Sequence, residues 1–285
     1  MTQADKNFID TCKEILENGY SSEGTGVRTR WEDGAEANYI SIIGVTNKYD
    51  LEKEFPMITL RNNTNTVKKA IDEILWIWQK KSNNIKDLNS HIWDQWADEN
   101  GSIGKAYGYQ MKKKYMLKTS SGIKEIDQVD FVLDLLKNNQ ASRRIMTNIF
   151  NFEDLKDMNL EPCAYGTQWL VKDGKLHVIL NQRSQDMLTA NGWNTMQYAA
   201  LLHMFAQCLG LKVGTLTHNI GDCHIYDRHI PLVEKLLNAK TMDVSPQLKI
   251  NNNTKNFYEF KLEDFEIIGY DYNKEINIGK IPVAK

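Results

Sequence analysis

The run Glu161-Pro162-Cys163-Ala164-Tyr165-Gly166-Thr167-Gln168-Trp169-Leu170-Val171 is followed by Leu176-His177-Val178-Ile179-Leu180-Asn181-Gln182-Arg183-Ser184-Gln185-Asp186. Its spacing predicts two β-strands, over Tyr165–Val171 and Leu176–Asn181. Next comes the most apolar helical stretch, Thr195–Leu209, with Met196, Ala199, Leu202, Met204, Phe205 and Cys208, and with Gly210 placed as a C-cap. A further strand, Val213–Asn219, follows it. Working outward, helices are expected over residues 5–18, ending at Asn18-Gly19, over Val67–Trp78 and over Val129–Lys137. Strands are expected at Tyr39–Val45, Ser142–Asn148 and Phe265–Tyr270. Strands and helices mix without regular alternation, and neither common type of glycine-rich phosphate loop occurs. The pattern therefore points to an α+β fold and away from a dinucleotide-binding one. No linker, composition break or repeat divides residues 1–285, so they read as one domain.

Composition narrows the function. The chain has 285 residues, 41% of them hydrophobic and 25% charged, the balance of an ordinary globular protein. A formal net charge of −2 gives no global attraction to nucleic acid or anionic membrane, so any phosphate recognition must be local. No apolar run is long enough to span a bilayer, and the start, Met1-Thr2-Gln3-Ala4-Asp5-Lys6, lacks a signal-peptide pattern. Cys12, Cys163, Cys208 and Cys223 are scattered and form no Cys-x-x-Cys pair, which argues against a disulfide framework and against structural zinc. A cytoplasmic location is expected.

Several residues are candidates for chemistry. Cys163 is either a small buried hydrophobe or a nucleophile, which would need a cationic neighbour to favour its thiolate. Arg183-Ser184 ends an apolar strand, where a guanidinium beside a hydroxyl suits an anion, or else pairs internally with Asp186. Arg143-Arg144 reads as a solvated turn; both arginines could meet one anion only if the segment is irregular or lies at a subunit interface. Trp93 and Trp96, three apart, either pack in the core or offer a stacking platform for a flat ring. His224-x-Tyr226 places two hydrogen-bonding groups on one strand face, too few for a metal. Glu73 lies in an apolar helical segment, on an exposed face or held as a buried carboxyl of raised proton affinity.

Taken together these residues resemble the thymidylate synthase family along nearly the whole chain, from Val27-Arg28-Thr29 to Pro282-Val283-Ala284-Lys285. The most specific matches are Pro162-Cys163, Gln182-Arg183-Ser184-x-Asp186, Trp193-Asn194 and Gly221-Asp222-x-His224-x-Tyr226. Glu73-Ile74-Leu75-Trp76, Ile92-Trp93-Asp94-x-Trp96, Tyr107-Gly108, Asp127-Gln128 and Ser142-Arg143-Arg144 support them. The resemblance implies an α+β subunit with a large mixed sheet and flanking helices, packed against its mate in a homodimer. It implies that dUMP and 5,10-methylenetetrahydrofolate bind together, with no metal, membrane or DNA. Cys163 would be the nucleophile, acting with Glu73, Tyr107, Asn194 and Arg183. Arg28, Arg183 and Ser184 would hold the nucleotide phosphate, joined by Arg143 and Arg144 from the other subunit. Asn194 would read the uracil edge, and His224 and Tyr226 the deoxyribose. Trp93, Trp96, Asp186, Ala190, Trp193, Val283 and Ala284 would meet the reduced folate.

Departures from the family pattern fall on the folate side. The usual Leu-Gly-x-Pro-Phe-Asn reads Thr189-Ala190-Asn191-Gly192-Trp193-Asn194, and Thr59-Leu60-Arg61-Asn62-Asn63-Thr64-Asn65 replaces a lysine-bearing segment with two residues added. The residue after Cys163 is Ala164, where His or Val is common. Two alternatives to a synthase are therefore carried. One is a dUMP hydroxymethylase releasing 5-hydroxymethyl-dUMP and tetrahydrofolate; the other is an inactive nucleotide- or RNA-binding relative. Asn194 argues against a dCMP-specific version. A phage-encoded protein would act in its host's cytoplasm.

Overall fold

A computed structural model describes residues 1–251 and 253–284. Its first helix, α1 (Gln3–Asn18), starts two residues earlier than the apolar periodicity indicates. Thr2 Oγ1 accepts from the Asp5 amide at 3.0 Å while an Asp5 carboxylate oxygen accepts from the Thr2 amide at 3.1 Å. That reciprocal cap satisfies two donors a helix start otherwise leaves open. The elements that follow are β1 (Tyr20–Ser21), β2 (Tyr39–Asp50), α2 (Thr64–Ile74), a π-turn over Leu75–Gln79 and α3 (Gly108–Lys112). Then come β3 (Tyr115–Thr119), β4 (Gly122–Ile126), α4 (Gln128–Asn138), β5 (Met146–Asn148), β6 (Ala164–Lys172) and β7 (Lys175–Asp186). The chain continues through α5 (Asn191–Leu209), β8 (Lys212–Tyr226), α6 (Ile230–Leu237), β9 (Gln247–Ile250) and β10 (Phe265–Ile268).

A mixed six-stranded sheet in the order β1-β2-β8-β7-β6-β5 forms the frame. β7 and β8 run parallel and the other pairings are antiparallel, so the α+β expectation holds. Helix α5 makes the crossover between the parallel strands and is buried on nearly every side. This is why its sequence is apolar all round rather than in one stripe. Trp76, Trp78, Trp169, Phe8, Phe55, Phe205 and Phe257 are among the fully buried large side chains of a core that runs from Ala4 to Phe260.

Three sequence expectations need correction. The helix expected over Val67–Trp78 is α-helical only to Ile74, beyond which the backbone widens into the π-turn and buries both Trp76 and Trp78. Such wide turns are frequent at functional sites, and this one begins one residue after Glu73-Ile74. The strand expected over Ser142–Asn148 is regular only at Met146–Asn148, so Arg143 and Arg144 stand in irregular chain. Strands β7 and β8 run well past the expected ends, because polar residues continue pairing where the apolar pattern stops: Ser184 is opposite Asp222 and Asp186 opposite His224.

Candidate active site

Register places the chemistry at one end of the sheet. β6 starts directly after Cys163, and the Arg183 amide of β7 donates to the Cys163 carbonyl at 2.9 Å. The Arg183 guanidinium turns back over the same peptides, donating from Nε to the Pro162 carbonyl at 3.0 Å and from Nη2 to the Glu161 carbonyl at 2.9 Å. Arg183 therefore does not pair with Asp186; it frames Cys163 and keeps an exposed cationic edge. Cys163 is half-buried, and burial raises its thiol pKa while the Arg183 charge pulls it down and Glu161 pushes it up again. The net shift of the thiol is upward, and the guanidinium is the one cationic neighbour that opposes it. From the other side the Tyr107 hydroxyl accepts from the Cys163 amide at 3.3 Å. Tyr107 has φ 43°, a region a non-glycine residue adopts only under constraint, and the following Gly108 explains the constraint. A Cβ at Gly108 would come within 2.0 Å of the Ser82 carbonyl oxygen.

β8 supplies the next groups. Gly221 lets β8 approach β7, since a Cβ there would stand 2.9 Å from the Arg183 carbonyl oxygen. His224 is buried, and its Nδ1 lies 2.8 Å from Asp222 Oδ1. A carboxylate there favours the proton on Nδ1 and leaves Nε2 to accept from a hydroxyl. Tyr226 packs on His224 at 4.9 Å between ring centroids, and burial, helped by Asp186, pushes its phenol up to about 12. It stays a neutral donor. The loop bearing exposed Arg28 is held beside it by Trp31, 5.7 Å from the Tyr226 ring, whose indole donates to Asp227 at 3.0 Å.

The end of α2 meets the start of α5 at Glu73. This carboxyl is 5% exposed, and Trp193 Nε1 donates to its Oε2 at 2.8 Å. Burial raises its pKa to about 7 against the opposing Trp193 hydrogen bond and weaker help from Gln197 and Trp93. The buried reading of Glu73 therefore holds. Asn194, the next residue, donates from Nδ2 to Gln197 Oε1 at 3.1 Å, which orients the carboxamide and leaves its oxygen free to accept.

On the expected folate side, Trp93 is buried with its ring 5.3 Å from Trp96, 5.0 Å from Tyr107 and 6.0 Å from Trp76. The Trp93–Trp96 pair sits on a 3-10 turn over Asp94–Trp96, in keeping with one-sided spacing. Asp186 does not reach outward: its Oδ1 accepts from the Leu188 amide at 2.8 Å and its Oδ2 from the Thr189 hydroxyl at 2.6 Å. Burial raises the Asp186 pKa, but His229 and Thr189 outweigh it and the net shift is downward. The carboxylate thereby shapes the 187–190 turn that carries Ala190 into α5. Val283 is exposed and Ala284 half-buried, while Lys285 lies outside the described residues.

Two residues given no role of their own by the sequence reading belong here. Arg61 donates from Nη2 to the Leu188 carbonyl at 2.7 Å, tying the rewritten 59–65 segment to this loop. His229 donates from Nε2 to the Pro282 carbonyl at 2.8 Å and places Nδ1 3.4 Å from Asp186. The only sequence signal for Arg61 was a cation in an otherwise neutral, altered segment. For His229 there was none, because its partners are 43 and 53 residues away. Arg143 and Arg144 are exposed, and the register Met146–Gln168 puts them beyond roughly 17 Å from Cys163 along β6. They do not join the site built around Cys163 in this chain. Among the described residues Arg28, Arg143, Arg144 and Arg183 form no ion pair, and no acidic, histidine or cysteine cluster suits a metal. Two surface cavities, of about 630 and 770 Å³, flank α2 and are lined by none of the candidate residues.

The comparisons agree with this geometry. Residues 6–282 match the profile of the family described as Thymidylate synthase. The chain is 44% identical over 281 residues to a thymidylate synthase of Bacillus mojavensis, covering 97% of this chain and 98% of the relative. It is 43% identical over 280 residues to the thymidylate synthase of Bacillus phage phi3T, covering 97% and 98% respectively. A solved structure, thermostable thymidylate synthase A from Bacillus subtilis, superposes with a TM-score of 0.91 at 41% identity and 99% coverage of both chains. With a cysteine framed by an arginine, a buried carboxyl and full-length similarity of sequence and fold, this chain belongs to the thymidylate synthase family.

Proposed function

We propose that the protein transfers a one-carbon unit from 5,10-methylenetetrahydrofolate to C5 of dUMP, giving dTMP and dihydrofolate. The observation that carries this reading is the enclosure of Cys163 by Arg183 on one side and the Tyr107 hydroxyl on the other. The Cys163 thiolate adds to C6 of the uracil ring and C5 becomes nucleophilic; once C5 has taken the one-carbon unit it loses its proton and elimination breaks the S–C6 bond, so that covalent catalysis replaces one difficult step by two easier ones. Arg28, Arg183 and Ser184 hold the phosphate, Asn194 the uracil edge, and His224 with Tyr226 the 3′-hydroxyl. Glu73, poised near neutrality, exchanges protons with the ring through ordered water, and Tyr107 assists.

The folate side fits a flat, polar cosubstrate. Half-buried Trp96 offers aromatic surface backed by the buried Trp93 ring, and Arg61 Nε and Gln185 Oε1 are buried around the 186–194 loop without a protein partner. Such atoms are costly unless water or a ligand meets them. When bound, the folate supplies the methylene carbon and then the hydride that completes the methyl group. Trp93, Trp96, Ala190 and Trp193 line its place, Asp186 shapes the loop beneath it, and Val283 and Ala284 close over it. The synthase outcome is favoured over hydroxymethylation because the full-length relatives are thymidylate synthases.

The chain acts as one catalytic domain, in keeping with its continuous core. It works as a homodimer joined through the sheet, Arg143 and Arg144 reaching the phosphate of the partner's site; their distance from Cys163 within one subunit supports this. The setting is cytoplasmic, consistent with four free cysteines and, among the described residues, no helix long and apolar enough to cross a membrane. The test is dihydrofolate absorbance on mixing protein, dUMP and methylenetetrahydrofolate. Loss of dUMP without dihydrofolate would overturn the synthase reading.

A further inference from the structure

Helix α5 presents Trp193, Asn194 and Gln197 from its first turns, and the 193/197 spacing puts two donors on one helix face. Glu73 stands opposite that face. Its Oε2 accepts a hydrogen bond from the Trp193 indole N–H at 2.8 Å, and Trp193 is half-buried at the end of the loop that Asp186 shapes. The family pattern has phenylalanine at this position, a ring with no proton to give. We propose that Trp193 is a positioning residue for Glu73, its indole N–H fixing one carboxyl oxygen and setting how readily that carboxyl gives up its proton. The proposal rests on the reading of Glu73 as the acid–base group.

The physical consequence has a definite sign. Burial favours the neutral acid, and a donor to Oε2 favours the carboxylate. Removing only the N–H must therefore raise the proton affinity of Glu73. The other groups facing this carboxyl are Gln197, Trp93, the Asp72 charge and, in turn, the Tyr107 and Tyr198 phenols. Asp72 is itself occupied by the Asn89 amide and side chain at 3.0 and 2.7 Å, and both phenols stay neutral through the range in question. Because Trp193 closes the 187–192 loop, displacement of that loop would also reach Glu73 through the same bond.

Trp193→Phe keeps the ring and deletes the donor. Carboxyl ¹³C NMR, with Glu73 assigned by the signal lost in Glu73→Gln, should show the Glu73 midpoint moving up by about one pH unit. The acid limb of the kcat profile should move with it, while KM for dUMP changes by less than about twofold. An unmoved midpoint, or an equal loss of kcat at every pH, overturns the proposal. In the unsubstituted protein the Trp193 indole N–H resonance should titrate with the Glu73 midpoint; a flat resonance overturns it equally. Full turnover in Glu73→Gln would instead remove the acid–base reading beneath it, and the two NMR titrations would still decide the hydrogen bond.

Discussion

Replacing Arg183 by alanine removes two things at once, a cationic edge free to meet an anion and a charge acting on the Cys163 thiol. The guanidinium's two protein partners are the Pro162 and Glu161 carbonyls, so its free edge is what remains for the phosphate. A charge-assisted hydrogen bond of that kind contributes about 1.5–3 kcal/mol, so dUMP affinity should fall about 10- to 150-fold. The same charge opposes the burial that raises the Cys163 thiol, so alkylation by iodoacetamide at pH 8 should slow in the free protein. Arg183 is exposed and its backbone amide bond to Cys163 survives the substitution, so the fold is retained. Arg183→Lys keeps the charge without the planar fork, and should restore more of the alkylation rate than of the affinity. Calorimetric titration with dUMP and alkylation against pH read the two effects separately. Unchanged dUMP affinity in a folded Arg183→Ala protein would refute the phosphate role, and an unchanged alkylation profile would refute the electrostatic one.

Other expectations follow from the same structure. Burial raises the Glu73 pKa from its ordinary value of 4.5 to about 7, so between those values the folded chain holds a proton that the unfolded chain has lost, and stability falls as pH rises. Glu73→Gln should therefore gain about 3 kcal/mol relative to the parent between pH 4 and pH 8 in urea unfolding, while turnover is lost. A constant difference across pH would contradict this. Gly192→Pro should stabilise by about 0.4–1 kcal/mol, because position 192 lies in the first turn of α5 and a Cβ there meets only Met196 at 3.8 Å. α6 already carries Pro231 at the same place, and a lowered thermal midpoint would count against the argument. Finally, Cys163→Ser subunits mixed with Arg143→Ala/Arg144→Ala subunits should recover about a quarter of full activity, since each mixed dimer has one complete site. Recovery of nothing would remove the cross-subunit role.

The sequence was most legible where burial and periodicity coincide. The long apolar helix and the strands about Cys163 were found because packing alone fixes them. The ends of β7 and β8 were not, because Arg183, Ser184, Asp222 and His224 extend pairing with polar residues that carry no apolar alternation. The π-turn after Glu73 left no trace, since a single extra residue per turn does not disturb a short apolar pattern. The candidate residues were recoverable as a resemblance, but their environments were not. That Glu73 is buried against Trp193, and that Asp186 folds into its own loop, depends on contacts between residues 120 and only 2 to 3 positions apart respectively. His229 shows the limit: a buried imidazole linking Asp186 to Pro282 has no local signature.

The central claim is that Cys163 activates dUMP for methyl formation. Its most direct test is the mass of the nucleotide formed from dUMP and 5,10-methylenetetrahydrofolate, with Cys163→Ser as the control. The account predicts dTMP from the parent protein and unreacted dUMP from the variant; 5-hydroxymethyl-dUMP, or dTMP from Cys163→Ser, would contradict it.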